Sequence, residues 1–248
     1  MSPPVPMPIT FQPNIYGKVQ NLLPEGAGRR ALDVGAGHGH FSHKLQERGY
    51  QVDACDFLPE LFQCPTIPFR RANLNESLPY EDNQFDLVVS IEVVEHIENH
   101  FTFMSELLRV ARPGAVIIVT TPNVLSLSSR WHHFLYGYCD CAPVPLDPGM
   151  EAYFMQHINP ISLPQLIFHA ERFGGEVVGV ATNRYRKGSL LFMPILYPLL
   201  ALSLRRKLLG RKYREKEGLH RRHLRWMCTR ANLLGRITIL QVRKRDLS

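Results

Sequence analysis

Short continuous apolar runs alternate along this chain with segments in which apolar residues recur at helical spacing. An apolar run without polar alternation predicts a strand that is buried on both faces. Strands are predicted at residues 30–34, 50–55, 67–72, 85–91, 115–121, 176–181 and 237–242. Helices are predicted at residues 9–24, 38–49, 58–64, 95–111 and 162–173. This alternation predicts an α/β domain built on a mainly parallel sheet.

Two segments depart from the alternation. Residues 123–160 are rich in aromatic residues, proline and histidine, and they are predicted to be a lid-like segment because long irregular loops in compact domains are usually lids or binding loops. Residues 184–230 form an insertion between the last two predicted strands.

A glycine-rich turn follows the first predicted strand. The strand ends on Asp33, and glycines follow at Gly35, Gly37 and Gly39. Such a turn between a strand and a helix lets the backbone approach a nucleotide-like ligand closely. A dinucleotide fingerprint has its third glycine three residues after the second, where this chain has His40. The spacing therefore favours a nucleotide-like ligand other than a dinucleotide.

This D-x-G-x-G-x-G motif resembles motif I of class I S-adenosylmethionine (SAM) dependent methyltransferases, and residues 29–123 resemble the cofactor half of that family. The resemblance implies an enzyme that uses SAM as its cofactor. It implies a Rossmann-like α/β fold in which a seven-stranded, mostly parallel sheet carries helices on both faces and has an antiparallel last strand. We expect residues 1–248 to form one such domain.

The resemblance also assigns the cofactor-binding residues. In the family the glycine turn passes under the methionine and ribose, and an acid at the end of the second strand, here Asp56, holds the ribose hydroxyls. Asn73 stands where the family usually has an acid that accepts the adenine amino group. Alternatively, Asp56 caps the next helix and Asn73 is a turn residue. The assigned residues are Asp33, Gly35, Gly37, Gly39, Asp56, Asn73, Leu74 and Ile91.

The candidate catalytic residues Glu92, Glu95 and His96 follow the fourth predicted strand as the segment E-x-x-E-H. This segment resembles that of quinone O-methyltransferases and small-RNA 2′-O-methyltransferases, within a methyltransferase type 11/23-like group. In both subfamilies a divalent metal is thought to bind the acceptor oxygen there, and a later histidine, here His157, completes the site.

The resemblance thus implies a divalent cation such as Mg²⁺ held by Glu92, Glu95, His96 and His157, which would lower the pKa of a bound hydroxyl. We expect Glu95 and His96 to lie in the first turn of a helix. Two other interpretations stay open: His96 acts as a general base without metal, or the segment is structural, with Glu95 favouring the helix N-terminus.

Charge is divided unevenly along the chain. Residues 184–248 contain 18 Lys and Arg but 3 Asp and Glu, a net charge of +15, whereas residues 1–183 carry a net charge of −8. This asymmetry indicates an anionic partner, either a membrane or a nucleic acid.

The insertion begins with an uncharged stretch at residues 189–204, interrupted by Pro194 and Pro198, and a basic run follows. The stretch is shorter than the ~20 residues of a spanning helix. It predicts a monotopic or re-entrant segment in peripheral contact with an anionic membrane. Alternatively, it packs as a core helix or dimer face, or the basic run binds nucleic acid. Only Tyr213 and Trp226 interrupt that run as aromatic residues, which disfavours nucleic acid.

Five cysteines and an N-terminus without a signal-peptide pattern predict a cytoplasmic protein with free thiols, peripheral on the inner face of the membrane if the insertion binds lipid. Cys139 and Cys141 resemble half of a metal site, but no second cysteine pair has zinc spacing.

Together these patterns predict O-methylation of a small or lipid-borne acceptor, such as a quinone precursor or a lipid-linked glycan. One alternative is an RNA 2′-O-methyltransferase, which would bind RNA with a steep dependence on salt. The other is a membrane-bound SAM-binding protein without catalysis.

Overall fold

The fold is built on one seven-stranded sheet, in a computed structural model that describes residues 14–139, 145–186, 193–208, 215 and 217–246. The strands are β1 Arg30–Val34, β2 Gln51–Asp56, β3 Phe69–Arg71, β4 Phe85–Ile91, β5 Ala111–Pro122, β6 Gly175–Ala181 and β7 Ile237–Lys244. Their order is β3-β2-β1-β4-β5-β7-β6. The pairs from β3 to β5 are parallel, and β7 is antiparallel to both of its neighbours, which confirms the predicted fold class.

Helices and short 3₁₀ turns connect the strands. The described α-helices are α1 Ile15–Gln20, α2 His40–Glu47, α3 His100–Val110, α4 Leu127–Tyr136, α5 Leu163–Arg172, α6 Met193–Leu208, α7 Glu217–Met227 and α8 Arg230–Leu234. The 3₁₀ turns are Pro59–Leu61, Val94–His96 and Tyr153–Met155.

The sheet separates two hydrophobic clusters, and this explains why its central strands are apolar at successive positions. Val88 of β4 belongs to the cluster that contains Phe103 of α3. Its neighbour Val89 belongs to the cluster that contains Phe41 of α2, because successive side chains of a strand point to opposite faces. A strand between two such clusters must be apolar on both faces.

The helix predicted at 95–111 begins later and ends earlier than expected. α3 begins after Asn99, whose side chain accepts a hydrogen bond from Thr102 N at 3.0 Å as an N-cap. Glu95 and His96 therefore lie in a separate 3₁₀ turn, and the prediction that they open the helix was wrong.

Other predicted boundaries also change. The helix predicted at 58–64 is only the 3₁₀ turn Pro59–Leu61, because Phe62 returns to extended backbone and packs its ring 4.6 Å from that of Phe69. The predicted first helix is six residues long in the described chain, and its predicted part at 9–13 lies outside the described residues.

We expected Pro194 and Pro198 to interrupt the apolar stretch of the insertion. Instead, α6 runs continuously from Met193 to Leu208 through both prolines. Pro194 is the second residue of the helix, where a backbone N–H would have no hydrogen-bond partner within the helix. Proline at this position therefore costs the helix no hydrogen bond. The hydrogen bond that Pro198 cannot donate would go to the carbonyl of Pro194 in the first turn. Among the described residues, no helix is both long enough and apolar enough to cross a membrane.

The lid-like segment 123–160 contains more regular structure than the sequence predicted, namely α4 and the turn Tyr153–Met155. Its first residue is anchored because Asn123 Nδ2 donates to the carbonyl oxygens of Asn232 at 2.7 Å and Gly235 at 3.0 Å. Asp140 and Cys141 belong to the cysteine segment that resembles half of a metal site, and they lie outside the described residues.

Candidate functional site

The predicted site residues gather at one edge of the sheet, where the carboxyl ends of the parallel strands meet. Asp33 lies in β1, Asp56 ends β2, and Glu92 directly follows β4. This edge is where ligands bind in open α/β sheets.

The glycine turn at residues 35–39 adopts a conformation that side chains disfavour. Gly35, Gly37 and Gly39 have φ angles of 77°, 51° and 82°. A Cβ at Gly35 would overlap the side chain of Val93, and one at Gly39 would lie 2.7 Å from Cys64 Sγ. A Cβ at Gly37 would meet no heavy atom within 4 Å, so the turn is open on that side and has room for a ligand.

Asp56 holds the glycine turn in place. Its Oδ2 accepts from Gly37 N at 2.8 Å, and its Oδ1 accepts from Leu58 N at 3.2 Å. Each carboxylate oxygen can accept more than one hydrogen bond, so the group retains acceptor capacity for a ribose diol. The sequence left helix capping as an alternative role of Asp56; here Leu58 occupies the N-cap position of the turn Pro59–Leu61, and Asp56 accepts from its N–H.

Asp33 lies behind the turn and fixes it to α2. Ser42 Oγ donates to Asp33 Oδ2 at 2.6 Å, and burial raises the pKa of Asp33 to about 7. The sequence analysis did not identify Tyr16 of α1, whose ring packs 5.2 Å from Phe41. Burial, and then the charges of Asp33 and Glu92, raise the pKa of the Tyr16 hydroxyl to about 12, so that hydroxyl stays protonated at neutral pH.

Asn73 uses its side chain within its own loop. Its Nδ2 donates to Glu76 Oε1 at 2.7 Å, and its Oδ1 accepts from Asn75 N at 3.1 Å. Leu74 is buried beside it, and Ile91 is half-buried at the end of β4. These contacts are those of a turn residue, and binding of adenine by Asn73 stays a prediction.

Glu92 occupies a left-handed backbone conformation, with φ at 56°, that is rare for a residue with a side chain. Thr120 of β5 stabilises this conformation: its Oγ1 accepts from Glu92 N at 3.0 Å and donates to Glu92 Oε1 at 2.8 Å. Burial raises the pKa of Glu92 to about 7, although the Thr120 bond and the charge of Arg236 act in the opposite direction. Backbone strain of this kind is concentrated at functional sites.

Glu95, His96 and His157 form a compact cluster, which we call the acid–histidine cluster. One ligand atom of each lies within 4.8 Å of the others, and His157 Nε2 is 4.0 Å from Glu95 Oε1. The Glu95 side chain is buried, and neither of its oxygens has a hydrogen-bond partner among the described residues. A buried carboxyl group without a partner is costly, and a water molecule, a proton or a bound cation can each reduce that cost.

His96 is oriented by the loop that carries His157. Its Nδ1 lies 2.9 Å from the carbonyl oxygen of Gln156, so Nδ1 carries the hydrogen and Nε2 keeps its lone pair. Burial, followed by the nearby charge of His157, lowers the pKa of His96 to about 4. His96 is therefore neutral at pH 7 and can act as a ligand or accept a proton.

The structure thus brings together three of the four residues predicted as metal ligands, while Glu92 lies outside the acid–histidine cluster. The two carboxylates still interact, because burial and then the charge of Glu92 raise the pKa of Glu95 well above its usual range. Like charges in one cleft favour keeping a proton on one of them.

Residues 145–160 contact the site at two places, the end of β2 and the acid–histidine cluster. Tyr153 Oη donates to Glu98 Oε1 at 2.7 Å, and Asn159 N donates to the carbonyl oxygen of Glu95 at 3.0 Å. The ring of Phe154 packs edge-on at 5.5 Å from Phe57, the residue after Asp56. The segment therefore joins the end of β2 to the acid–histidine cluster.

Part of the chain is similar to known proteins. Residues 32–119 match the family described as a methyltransferase domain. A protein of Mycolicibacterium smegmatis named a probable S-adenosylmethionine-dependent methyltransferase is 34% identical over 114 residues, 44% of each chain. A ubiquinone biosynthesis O-methyltransferase of Psychrobacter cryohalolentis is 25% identical over 172 residues, 65% of each chain. The chain spans about half the length of the curated relatives it matches.

Solved structures share the fold. A SAM-dependent methyltransferase from Archaeoglobus fulgidus superposes with a TM-score of 0.59 at 18% identity, over 93% of each chain. Residues 32–119 therefore match the methyltransferase-domain family, and the chain shares its fold with this solved SAM-dependent methyltransferase.

Proposed function

We propose that this chain transfers a methyl group from SAM to an oxygen atom of a small or lipid-borne acceptor, such as a quinone precursor or a lipid-linked glycan. The observation that carries the proposal is the buried, unpartnered carboxylate of Glu95 beside two histidines. The similarity to a protein named for ubiquinone biosynthesis supports an oxygen acceptor.

The glycine turn and the ends of β2 and β4 fit SAM. When bound, SAM supplies an electrophilic methyl carbon on a sulfonium. Asp56 has acceptor capacity left for the ribose hydroxyls, and the open side of Gly37 leaves room for the ligand. Asn73, Leu74 and Ile91 would hold the adenine. For Asn73 this requires its amide to leave the contact with Glu76.

The acid–histidine cluster fits a divalent cation such as Mg²⁺, Mn²⁺ or Fe²⁺, because it offers one carboxylate and two imidazoles. A bound cation would lower the pKa of an acceptor hydroxyl. The hydrogen bond from His96 to the carbonyl oxygen of Gln156 is the type of support that commonly fixes a metal-binding imidazole.

Glu92 has a separate role in this proposal. Its pKa of about 7 and its position outside the acid–histidine cluster suit a group that accepts the acceptor's proton. Without a cation, Glu92 and the Nε2 atom of His96 are two groups that can perform this step. His96 is the weaker base of the two, because its pKa is lowered to about 4.

Manganese binding by the whole chain tests the cluster. We expect Mn²⁺ titration followed by electron paramagnetic resonance to show one site that weakens at least about tenfold in Glu95→Gln and His157→Ala. The control is Glu176→Gln, an exposed carboxylate at the start of β6 outside the cluster, which keeps its Mn²⁺ affinity. Equal affinity in Glu95→Gln and the unaltered chain would exclude the metal assignment.

Methyl transfer to a water-soluble catechol then tests the reaction. We expect Glu95→Gln to reduce kcat by about 100-fold or more, the typical range for loss of a group that activates a nucleophile. Transfer that is insensitive to a chelator but lost in Glu92→Gln would instead support the metal-free reaction.

We also propose that α6 and α7 bring the protein to an anionic membrane surface. Arg205, Arg206 and Lys207 are exposed at the end of α6, and Arg221, Arg222 and Arg225 follow in α7. A cluster of this size beside apolar residues suits the headgroups of anionic lipids.

A further inference from the structure

Two neighbouring threonines lie near the end of β5, and the structure explains the position of only one of them so far. Thr120 donates its hydroxyl to Glu92 Oε1 at 2.8 Å. The next side chain, that of Thr121, points to the opposite face of the sheet, because successive side chains of a strand alternate between faces. Thr121 is 1% exposed, and its Oγ1 atom has no hydrogen-bond partner among the described residues. Such a hydroxyl is costly to bury, and its surroundings indicate which group it serves.

The face to which Thr121 points also carries the turn that contains Glu95. Val119, two residues before Thr121, belongs to the hydrophobic cluster on the α3 side of the sheet. Val94, the residue before Glu95, belongs to the same cluster. The turn Val94–His96 packs directly against β5. The Thr121 hydroxyl and the Glu95 carboxyl group are therefore buried on one side of the sheet.

The strand register places Thr121 at the edge of this face. The last paired residue of β4 is level with Thr120, so Thr121 lies beyond the end of that strand, where the chain turns toward Glu95. Ser90 of β4 is level with Val119 and lies deeper on the same face. Its Oγ atom is also buried without a partner in the part of the chain that the structure describes. Of these two hydroxyls, that of Thr121 lies at the edge which the turn covers.

Glu95 and Thr121 are complementary in hydrogen bonding. A charged carboxyl group needs donors for both of its oxygens, and the threonine hydroxyl has one hydrogen to donate. Glu95 Oε1 lies 4.0 Å from His157 Nε2, on the histidine side of the cluster. Burial and the charge of Glu92 raise the pKa of Glu95, and the Thr121 hydroxyl is among the groups that act in the opposite direction. The two side chains are thus neighbours that do not complete a hydrogen bond in this structure.

We propose that Thr121 is a positioning residue of the cation site, whose hydroxyl donates to Glu95 Oε2 and leaves Oε1 for the cation. This rests on the proposed function for one point, the binding of a cation at the acid–histidine cluster. With a donor on its second oxygen, Glu95 offers the cation a single oxygen. That arrangement suits the octahedral Mg²⁺ and Mn²⁺, whereas Ca²⁺ takes more oxygen ligands and often binds both oxygens of a carboxylate. Thr121 would therefore also help to determine which cation binds.

Thr121→Val tests the proposal, because valine resembles threonine in shape but has no hydroxyl. In the whole chain, we expect Mn²⁺ titration followed by electron paramagnetic resonance to show at least about tenfold weaker binding than in the unaltered chain. Thr121→Ser keeps a hydroxyl and should restore the affinity to within about threefold. Thr121→Ala, a second variant without the hydroxyl, replaces Thr121→Val if valine impairs folding. Equal affinity in the unaltered chain and in the variant without the hydroxyl would overturn the proposal.

Competition between Ca²⁺ and Mn²⁺ separates a positioning role from a general structural defect. Loss of the Thr121 hydroxyl frees the second oxygen of Glu95, so Thr121→Val should raise the ratio of Ca²⁺ affinity to Mn²⁺ affinity at least about threefold. A defect in the packing of the cluster would weaken the binding of both cations alike. An unchanged ratio in Thr121→Val would therefore reject the positioning role.

Two control variants remove other buried hydroxyls. Ser90→Ala removes the one that lies deeper on the same face, and Thr182→Val repeats the threonine substitution just after β6. Both variants should keep their Mn²⁺ affinity within about twofold, since neither hydroxyl lies at the edge covered by the turn. A loss in Ser90→Ala as large as that in Thr121→Val would contradict the assignment of Thr121 as the donor.

Methyl transfer to a water-soluble catechol tests the proposed function separately. If the unaltered chain binds Mn²⁺ with the expected dependence on Thr121 but transfers no methyl group, the reaction is rejected and the role of Thr121 holds. If the unaltered chain has no Mn²⁺ site but transfers methyl groups, the role of Thr121 is overturned and the metal-free reaction through Glu92 is supported.

Discussion

Apolar residues behave differently in the cofactor half, residues 30–122, and in the C-terminal helices α6 and α7. Leu87 and Val88 of β4 are fully buried because α2 and α3 cover the two faces of the sheet. Leu199 and Leu202 of α6 are exposed in a stretch of similar hydropathy. An apolar run therefore becomes core only when other elements cover it.

The two regions also differ in the surroundings of their charged side chains. Asp33 and Glu92 of the cofactor half lie at the candidate site, where burial raises the pKa of each to about 7. The basic residues of α6 and α7 lie on the surface, as Arg206 and Arg221 show. The cofactor half can thus act on a cationic ligand or a proton, whereas the C-terminal helices can act on an anionic surface.

The largest expected effect is on the free energy of unfolding, and it contrasts a substitution in the cofactor half with one in α6. Phe103→Ala removes a fully buried ring from α3 and should lower the free energy of unfolding by about 3–5 kcal/mol. Leu199→Ala removes an exposed side chain from α6 and should change it by less than about 0.5 kcal/mol. Urea denaturation measures both, and equal losses would show that α6 packs as core in solution.

The next effect concerns the cofactor site. Asp56→Ala should weaken SAM binding by about 1–3 kcal/mol, because the ribose hydroxyls and Gly37 N would lose a charged acceptor. Asp53→Ala on the same strand removes an acid that pairs with Arg30 at 3.2 Å and should leave the affinity unchanged. Calorimetry decides between them, and an unaltered affinity in Asp56→Ala would remove Asp56 from the site.

A third expected effect is the pH dependence of stability caused by Asp33. Its pKa is about 7 in the folded chain and about 3.9 in an unfolded one, so between these values the folded state keeps a proton that the unfolded state has released. The free energy of unfolding must then fall as pH rises through this window, by at most about 1.4 kcal/mol per pH unit, and level off above pH 7.

Asp33→Asn cannot ionise, so its stability should fall less steeply between pH 5 and pH 7 than that of the unaltered chain. Contributions from Glu92 and Glu95 are present in both proteins and cancel in the difference. Urea denaturation at three pH values gives the two slopes, and parallel slopes would mean that Asp33 is ionised throughout this range.

Much of the cofactor half was predictable because each of its elements has a local pattern. The alternation of strand and helix patterns predicted seven strands, of which residues 85–91 are a continuous apolar run, and the spacing of Gly35, Gly37 and Gly39 indicated the turn after β1. The pairing of His157 with Glu95 and His96 was also expected, although only through the resemblance to a known family.

The remaining features depend on contacts between distant residues. α3 begins after Asn99 rather than at Glu95, and the backbone N–H of Asn99 donates to Asn75 Oδ1, 24 residues earlier in the chain. Glu92 leaves the acid–histidine cluster because Thr120, 28 residues later in the chain, holds its carboxylate. Tyr16 reaches the site only because α1 packs against α2, and no local pattern around it indicates this.

The sequence by itself determined the succession of strands along the chain, the position of the glycine turn and the uneven division of charge. These features depend on local spacing and composition, which tertiary contacts do not alter. Only the tertiary structure decided which carboxylate joins the histidines and which apolar faces remain exposed. Trp131, Phe134 and Leu135 of α4 show why: helical spacing places them on one side of the helix, and whether another element covers them depends on the packing of the whole fold.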